Sequence, residues 1–323
     1  WSRGLGDVYK RQIPLGMVSH PSSLAETASL ARISVGDASL AVSRRGAGNA
    51  PTVLLAHGFG QTRHAWEATA TALADAGYRA LSFDARGHGD SSPNPASLPY
   101  SAAQFTDDLI LLAGELPEPP VLVAASMGGL FGLLAEARWP GLFRAIVLVD
   151  ITPRWDTTGV ERILRFMTAH PQGFTSLDAA ADAITAYLPQ RPRKSAAQLQ
   201  LLLRQRSDGQ WHWHWDPRLV SELAGQDSQA QQQALMEAAA QVRCPMLLIS
   251  GGRSDLVTPQ TITEFLSIAP HAQHVQLPHA THMLAGDDNT TFTATVLHYL
   301  DALPSVGIST ASNITEHVTG ARP

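Results

Sequence analysis

Ser126 stands between two stretches of opposite character. Before it runs Val121-Leu122-Val123-Ala124-Ala125, short and apolar enough for a buried strand; after it, Met127-Gly128-Gly129-Leu130 opens a helical pattern. A serine on such a strand-to-helix turn is forced into a strained backbone with its hydroxyl exposed, where it can attack a carbonyl carbon. Only small residues two before and two after it avoid a clash, and Ala124 and Gly128 meet that condition. A helix N-cap serine would look the same in isolation, so the motif needs partners elsewhere in the chain.

Two other features could carry chemistry. Trp211-His212-Trp213-His214-Trp215, if extended, places three indoles on one face and two imidazoles on the other. Such a segment could roof an apolar pocket, or only pin a small subdomain. No third ligand at recognisable spacing accompanies the two histidines, so a metal site is not expected. The single cysteine, Cys244, precedes the apolar run 246–249 and reads as a buried thiol.

The elements that must position Ser126 follow from periodicity. Short apolar runs at 30–35, 40–44, 52–56, 79–83, 121–125, 145–149, 246–250 and 273–277 read as strands. Between them, 64–76, 102–112, 127–138, 259–268 and 291–300 carry apolar residues at three and four spacing, as amphipathic helices do. Alternation of this kind predicts an α/β fold, an eight-stranded mostly parallel sheet flanked by helices. After Asp150 the regularity breaks. Helical patterns at 159–168, 176–188, 196–206 and 228–242, separated by prolines, predict an inserted helical cap over 152–242. The core is then 13–151 and 243–303. Residues 1–12 resemble the translated linker tails of metagenome-derived sequences and are read as a non-native tail. The Ser/Thr/Gly-rich stretch 304–323 is read as a disordered tail.

The order of these segments resembles the α/β-hydrolase superfamily over 31–302, with alanine at 124 where that family usually has glycine. The resemblance implies a catalytic triad on Ser126. His57-Gly58-Phe59-Gly60 resembles the family's oxyanion loop, which implies that the amides of Phe59 and Met127 receive a tetrahedral oxyanion, with His57 structural beneath them. Asp84-Ala85-Arg86-Gly87-His88-Gly89-Asp90-Ser91 resembles a conserved scaffold turn. His282, in the loop after 273–277, matches the family's catalytic histidine and is preferred to His279. For the acid, the loop Gly251-Gly252-Arg253-Ser254-Asp255 makes Asp255 the first choice, with Asp150 as the alternative.

The activity implied is hydrolysis of carboxylic esters, lactones among them, without metal or cofactor. Carbon-carbon bond hydrolysis and perhydrolysis use the same triad, and a receptor-type member would keep it for ligand capture. Serine in place of aspartate argues against haloalkane dehalogenase and epoxide hydrolase chemistry. His57, Gly58, Trp155, Phe166, Trp211, Trp213 and Trp215 are expected to line an apolar pocket for a small-molecule ester with an acyl or aryl group. The chain has 323 residues, 44% of them hydrophobic, enough for one core and a subdomain. Its formal net charge of -5 comes without a Lys/Arg cluster, which argues against a nucleic-acid partner. No run approaches the roughly 18 apolar residues of a membrane span, and no secretory leader is evident, so no membrane partner and a cytoplasmic location are expected. The oligomeric state is left open.

Overall fold

The computed structural model describes residues 29–304 apart from 190, 224–227, 283 and 285–288; the expected tails, 1–12 and the part of 304–323 beyond residue 304, lie outside the described residues. Eight strands form one sheet: β1 (Ser29–Val35), β2 (Ala38–Arg45), β3 (Thr52–Ala56), β4 (Arg79–Phe83), β5 (Val121–Ala125), β6 (Ala145–Val149), β9 (Met246–Gly251) and β10 (Gln273–Leu277). Their order is β1-β2-β4-β3-β5-β6-β9-β10. The pairs β1–β2 and β2–β4 are antiparallel and all others parallel.

The central strands are apolar without a break because both of their faces are covered. Along β3, Leu54 and Ala56 enter one core cluster while Val53 and Leu55 enter the other; along β5, Leu122 and Ala124 part in the same way from Val121 and Val123. The first cluster takes in residues of α2 (Ala102–Gly114), α3 (Met127–Arg138) and α9 (Pro259–Ile268); the second takes in those of α1 (Glu67–Asp75) and α10 (Asn289–Ala302).

Between β6 and β9 lie α4 (Thr157–Thr168), α5 (Leu177–Tyr187), α6 (Ala196–Gln200), the hairpin of β7 (Leu203–Gln205) and β8 (Trp211–Trp213), α7 (Arg218–Leu223) and α8 (Ser228–Gln241). Two expectations for this stretch are corrected. The helix expected over 196–206 ends at Gln200, and its remainder pairs antiparallel with β8. An Asp208-Gly209 turn closes the hairpin, with the Asp208 carboxylate accepting from Gln210 N–H at 2.8 Å. The helix expected to close the cap, α8, packs instead against α3 and α9 as part of the layer covering the sheet. Among the described residues no helix is long and apolar enough to cross a membrane.

Candidate active site

Parallel strands that run side by side deliver their C-terminal ends to one edge of the sheet, where ligands bind in open α/β folds. At that edge the chain leaves β5 at Ser126 and the neighbouring β6 at Asp150. Their backbones are strained in the same way: Ser126 has φ 46° and Asp150 φ 48°, and among the described residues no other non-glycine residue has a positive φ. A left-handed backbone costs a non-glycine residue on the order of 1–3 kcal/mol and persists where the surroundings enforce it. Here they do. Ser126 N–H donates to Val149 O (3.2 Å) and Asp150 N–H to Ile249 O (2.8 Å), so each strand end is held by its neighbour. Behind Ser126, α3 starts at once, and its Gly129 and Leu130 amides bond the Ser126 carbonyl. Glycine at 128 is required by close approach: a side chain there would begin 2.9 Å from Ala56 Cβ and from the carbonyls of Ala56 and His57. That contact sets the amide end of α3 against the loop after β3. Alanine at 124 is accommodated fully buried beside Ala56 of β3.

Asp150 is buried with both carboxylate oxygens engaged. Its Oδ1 accepts from Gly251 N–H (2.7 Å), and its Oδ2 accepts from the Ser254 hydroxyl and from His282 Nδ1–H (2.9 Å). An acceptor-only partner fixes the tautomer, leaving His282 Nε2 unprotonated. The loop carrying His282 is tied to the loop after β9 by Gly252 N–H to Leu277 O (2.8 Å) and Arg253 N–H to Ala280 O (2.9 Å).

Asp255, the first choice for the partner of His282, is not bonded to it. Its side chain is 36% exposed and pairs with Arg162 of α4 at 3.2 Å, joining the sheet edge to the insertion. The physical reason lies one residue earlier: Ser254 turns in toward Asp150 and accepts from the Leu256 and Val257 amides (both 3.1 Å), which points the next side chain outward. Ser254 is a site residue that sequence reasoning missed; its only signal is its place in the glycine-rich loop.

In the loop after β3, Gly58 lies against Ser126, with a side chain at 58 beginning 3.2 Å from Ser126 Cβ. His57 is buried. Its Nε2 accepts from Ala85 N–H (2.9 Å), so its Nδ1–H donates to Gly58 O (2.8 Å), the carbonyl of the peptide whose N–H belongs to Phe59. Burial pushes its pKa down against the pull of Asp84, which keeps the ring neutral. Among the described residues Phe59 N–H has no acceptor. The turn after β4 braces this loop from beneath: Asp84 pairs with Arg63, Arg86 grips Asp108 at 2.6 and 2.7 Å, and His88 Nε2 accepts from Gly60 N–H at 3.4 Å.

Phe166 stacks on Tyr187 (4.1 Å between centroids) and meets Trp213 edge-on (5.7 Å), and Trp213 stacks on Trp215 (4.7 Å). Trp215 and Met167 reach the loop after β3, lying 3.4 and 3.0 Å from where a side chain on Gly60 would begin. Trp211 lies inside the insertion, exchanging backbone bonds with Phe174, and Trp155 packs half-buried against the main core where the insertion starts. Of the two imidazoles, His212 bonds Asp208 (2.9 Å), and His214, just past the end of β8, is 8% exposed.

A family model described as "Alpha/beta hydrolase family" matches residues 53–295. Among curated proteins, the 2-(acetamidomethylene)succinate hydrolase of Mesorhizobium japonicum is 25% identical over 272 residues, covering 84% of this chain and 95% of that protein. The esterase Rv0045c of Mycobacterium tuberculosis is 29% identical over 241 residues, covering 72% of this chain and 76% of its own length. A crystal structure of the latter superposes with a TM-score of 0.68 at 27% identity, covering 88% of this chain and 93% of that one.

Proposed function

The chain belongs to the alpha/beta hydrolase family, and from that premise we propose that it is a serine hydrolase that cleaves carboxylic esters, lactones included, through an acyl-enzyme on Ser126. One observation carries the reading: the two strained residues, Ser126 and Asp150, end adjacent strands, and Asp150 holds His282 with its Nε2 free.

In this mechanism His282 Nε2 takes the Ser126 proton as the hydroxyl oxygen attacks the ester carbon. Asp150 stabilises the imidazolium, and the amides of Phe59 and Met127 receive the oxyanion, each worth about 3 kcal/mol of barrier. The leaving alcohol takes the proton from His282; water then adds to the acyl group and frees the acid. Asp150 is the acid in this reading, and Asp255 an anchor of the insertion. The aromatic group of Phe166, Trp213 and Trp215 beside Gly60 favours an apolar acyl or aryl group. The relative named as an esterase supports ester cleavage. A second reading, cleavage of a bond other than an ester, is favoured by the relative named for hydrolysis of 2-(acetamidomethylene)succinate.

Turnover of p-nitrophenyl esters of increasing chain length, beside Ser126→Ala and His282→Ala variants, tests the proposal. Wild-type turnover with both variants reduced by at least about 10³ is expected. A wild type inert toward every ester, or an active Ser126→Ala, overturns it, and a wild type that leaves the esters intact but cleaves p-nitroanilides of the same acyl groups transfers the reading to the second.

A further inference from the structure

His214 is carried by the insertion, yet both of its ring nitrogens bond loops of the sheet edge. Its Nδ1 accepts from Gly89 N–H at 2.8 Å, so the proton sits on Nε2, which donates to Gly60 O at 3.2 Å. Gly60 follows Phe59 and has φ 73°, a conformation with little intrinsic preference for one direction. It is held from both sides, by His88 Nε2 at its N–H and by His214 at its carbonyl. His57 in turn holds the carbonyl of Gly58. The peptide that carries the Phe59 N–H is therefore held at its own carbonyl by His57, and the two peptides that follow it by His88 and His214, the last of these imidazoles coming from a segment 154 residues away in sequence.

We propose that His214 is a positioning residue for the hydrolysis assigned above: through Gly60 it fixes the loop that aims Phe59 N–H at the developing oxyanion, so that the insertion completes the oxyanion site. This rests on the proposed function. Two further observations support it. The insertion closes on Gly60, with Met167 and Trp215 lying 3.0 and 3.4 Å from where a side chain would begin, so the loop and the insertion share one packed contact. Burial pushes the His214 pKa down to about 4, so the ring stays in the neutral form that can both accept and donate.

The alternative is that His214 merely pins the insertion. Asparagine and glutamine separate the two, because the asparagine amide overlays Nδ1 and glutamine's reaches the place of Nε2. His214→Asn keeps an acceptor for Gly89 N–H and loses the donor to Gly60; His214→Gln keeps the donor. The readouts are kcat and KM on the best p-nitrophenyl ester, and Ki for a trifluoromethyl ketone of matched chain, whose carbonyl carbon bonds the Ser126 oxygen while the proton passes to His282, leaving an oxyanion. In His214→Asn, kcat is expected to fall about tenfold with KM within twofold, and Ki to rise by the same factor, about 1.4 kcal/mol. His214→Gln is expected to stay within threefold of wild type in all three.

Equal losses in the two variants, or a loss confined to KM with Ki unchanged, overturn the proposal. If His214→Asn does not fold, a folded His214→Gln with kcat lowered tenfold overturns it alone, and retention of kcat there supports it. A wild type inert toward every ester overturns the proposed function and this inference together, whereas an active wild type with an indifferent His214→Asn overturns the inference only.

Discussion

Asp150 and His282 meet at 2.9 Å across the sheet edge, and Asp255 lies outside that pair, bound to Arg162 of α4. The two aspartates therefore predict opposite phenotypes. Asp150→Asn offers His282 Nδ1 an amide that can donate as well as accept, which unfixes the tautomer; kcat is expected to fall by about 10⁴ with the fold retained. Asp255→Asn is expected to keep kcat within threefold. Steady-state kinetics of both variants decide, and the reverse order returns the acid to Asp255.

Ser254 donates to the same carboxylate oxygen as His282. Removing its hydroxyl leaves a buried carboxylate short of one donor, a loss of about 1.5–3 kcal/mol for a bond to a charged group. Ser254→Ala should lower kcat about tenfold or more while KM moves less than twofold. A kcat within twofold of wild type would show that Gly251 N–H and His282 suffice for Asp150.

In the proposed mechanism the strain of Ser126, at φ 46°, is held for function. Glycine tolerates that conformation, so Ser126→Gly is expected to be inactive yet more stable than wild type by about 1 kcal/mol, after the extra chain entropy of glycine is counted, a rise in Tm of roughly 2 °C or more. Ser126→Ala keeps the strain and should melt near the wild type. Calorimetry on the three proteins checks the order, and a Ser126→Gly less stable than Ser126→Ala removes the strain argument.

Acid should weaken the fold through its buried imidazoles. His57, His88 and His214 all have pKa values below 6.5 through burial; beyond it, neighbouring imidazoles oppose a charge on His88, and Arg204 and His57 oppose one on His214 against the pull of Asp84. A depressed folded pKa means that the unfolded chain binds more protons, so stability falls as pH drops below about 6.5 and keeps falling to the folded value, about 4 for His214. Within that window each such imidazole contributes a slope of about 1.4 kcal/mol for every pH unit. Urea midpoints from pH 7.5 to 4.5 should therefore fall for wild type, and less steeply for His214→Gln. Parallel slopes in the two proteins would place the acid sensitivity elsewhere.

Much of this is legible in the residues. All eight sheet strands and the helix 127–138 follow the pattern of apolar runs, most plainly in the central strands, where burial on both faces leaves little freedom in residue type. Ser126 and His282 stand out in the sequence because a turn and a late loop constrain them locally. What escapes the sequence is non-local. Nothing in it says whether Ser254 or Asp255 turns inward, since that is decided by Asp150 on another strand. The 196–206 stretch carries helical spacing, yet the Asp208-Gly209 turn pairs its second half with a strand. The 228–242 stretch is helical, as its pattern predicts, but it packs on α3 and α9, because an amphipathic pattern does not name the partner of its apolar face.

The segment from Trp211 to Trp215 shows how such a chain can diversify. Within it, Trp213 and Trp215 supply aromatic surface while His214 supplies hydrogen bonds to two loops. Under the proposed function Trp213 serves recognition and His214 registration, and Trp215 has a share in both. Under the proposed function, exchanging Trp213 can reshape what is admitted, whereas Trp215 also packs on Gly60, so selection for a new substrate has a path through this pentapeptide that leaves the hydrogen bonds of His214 in place.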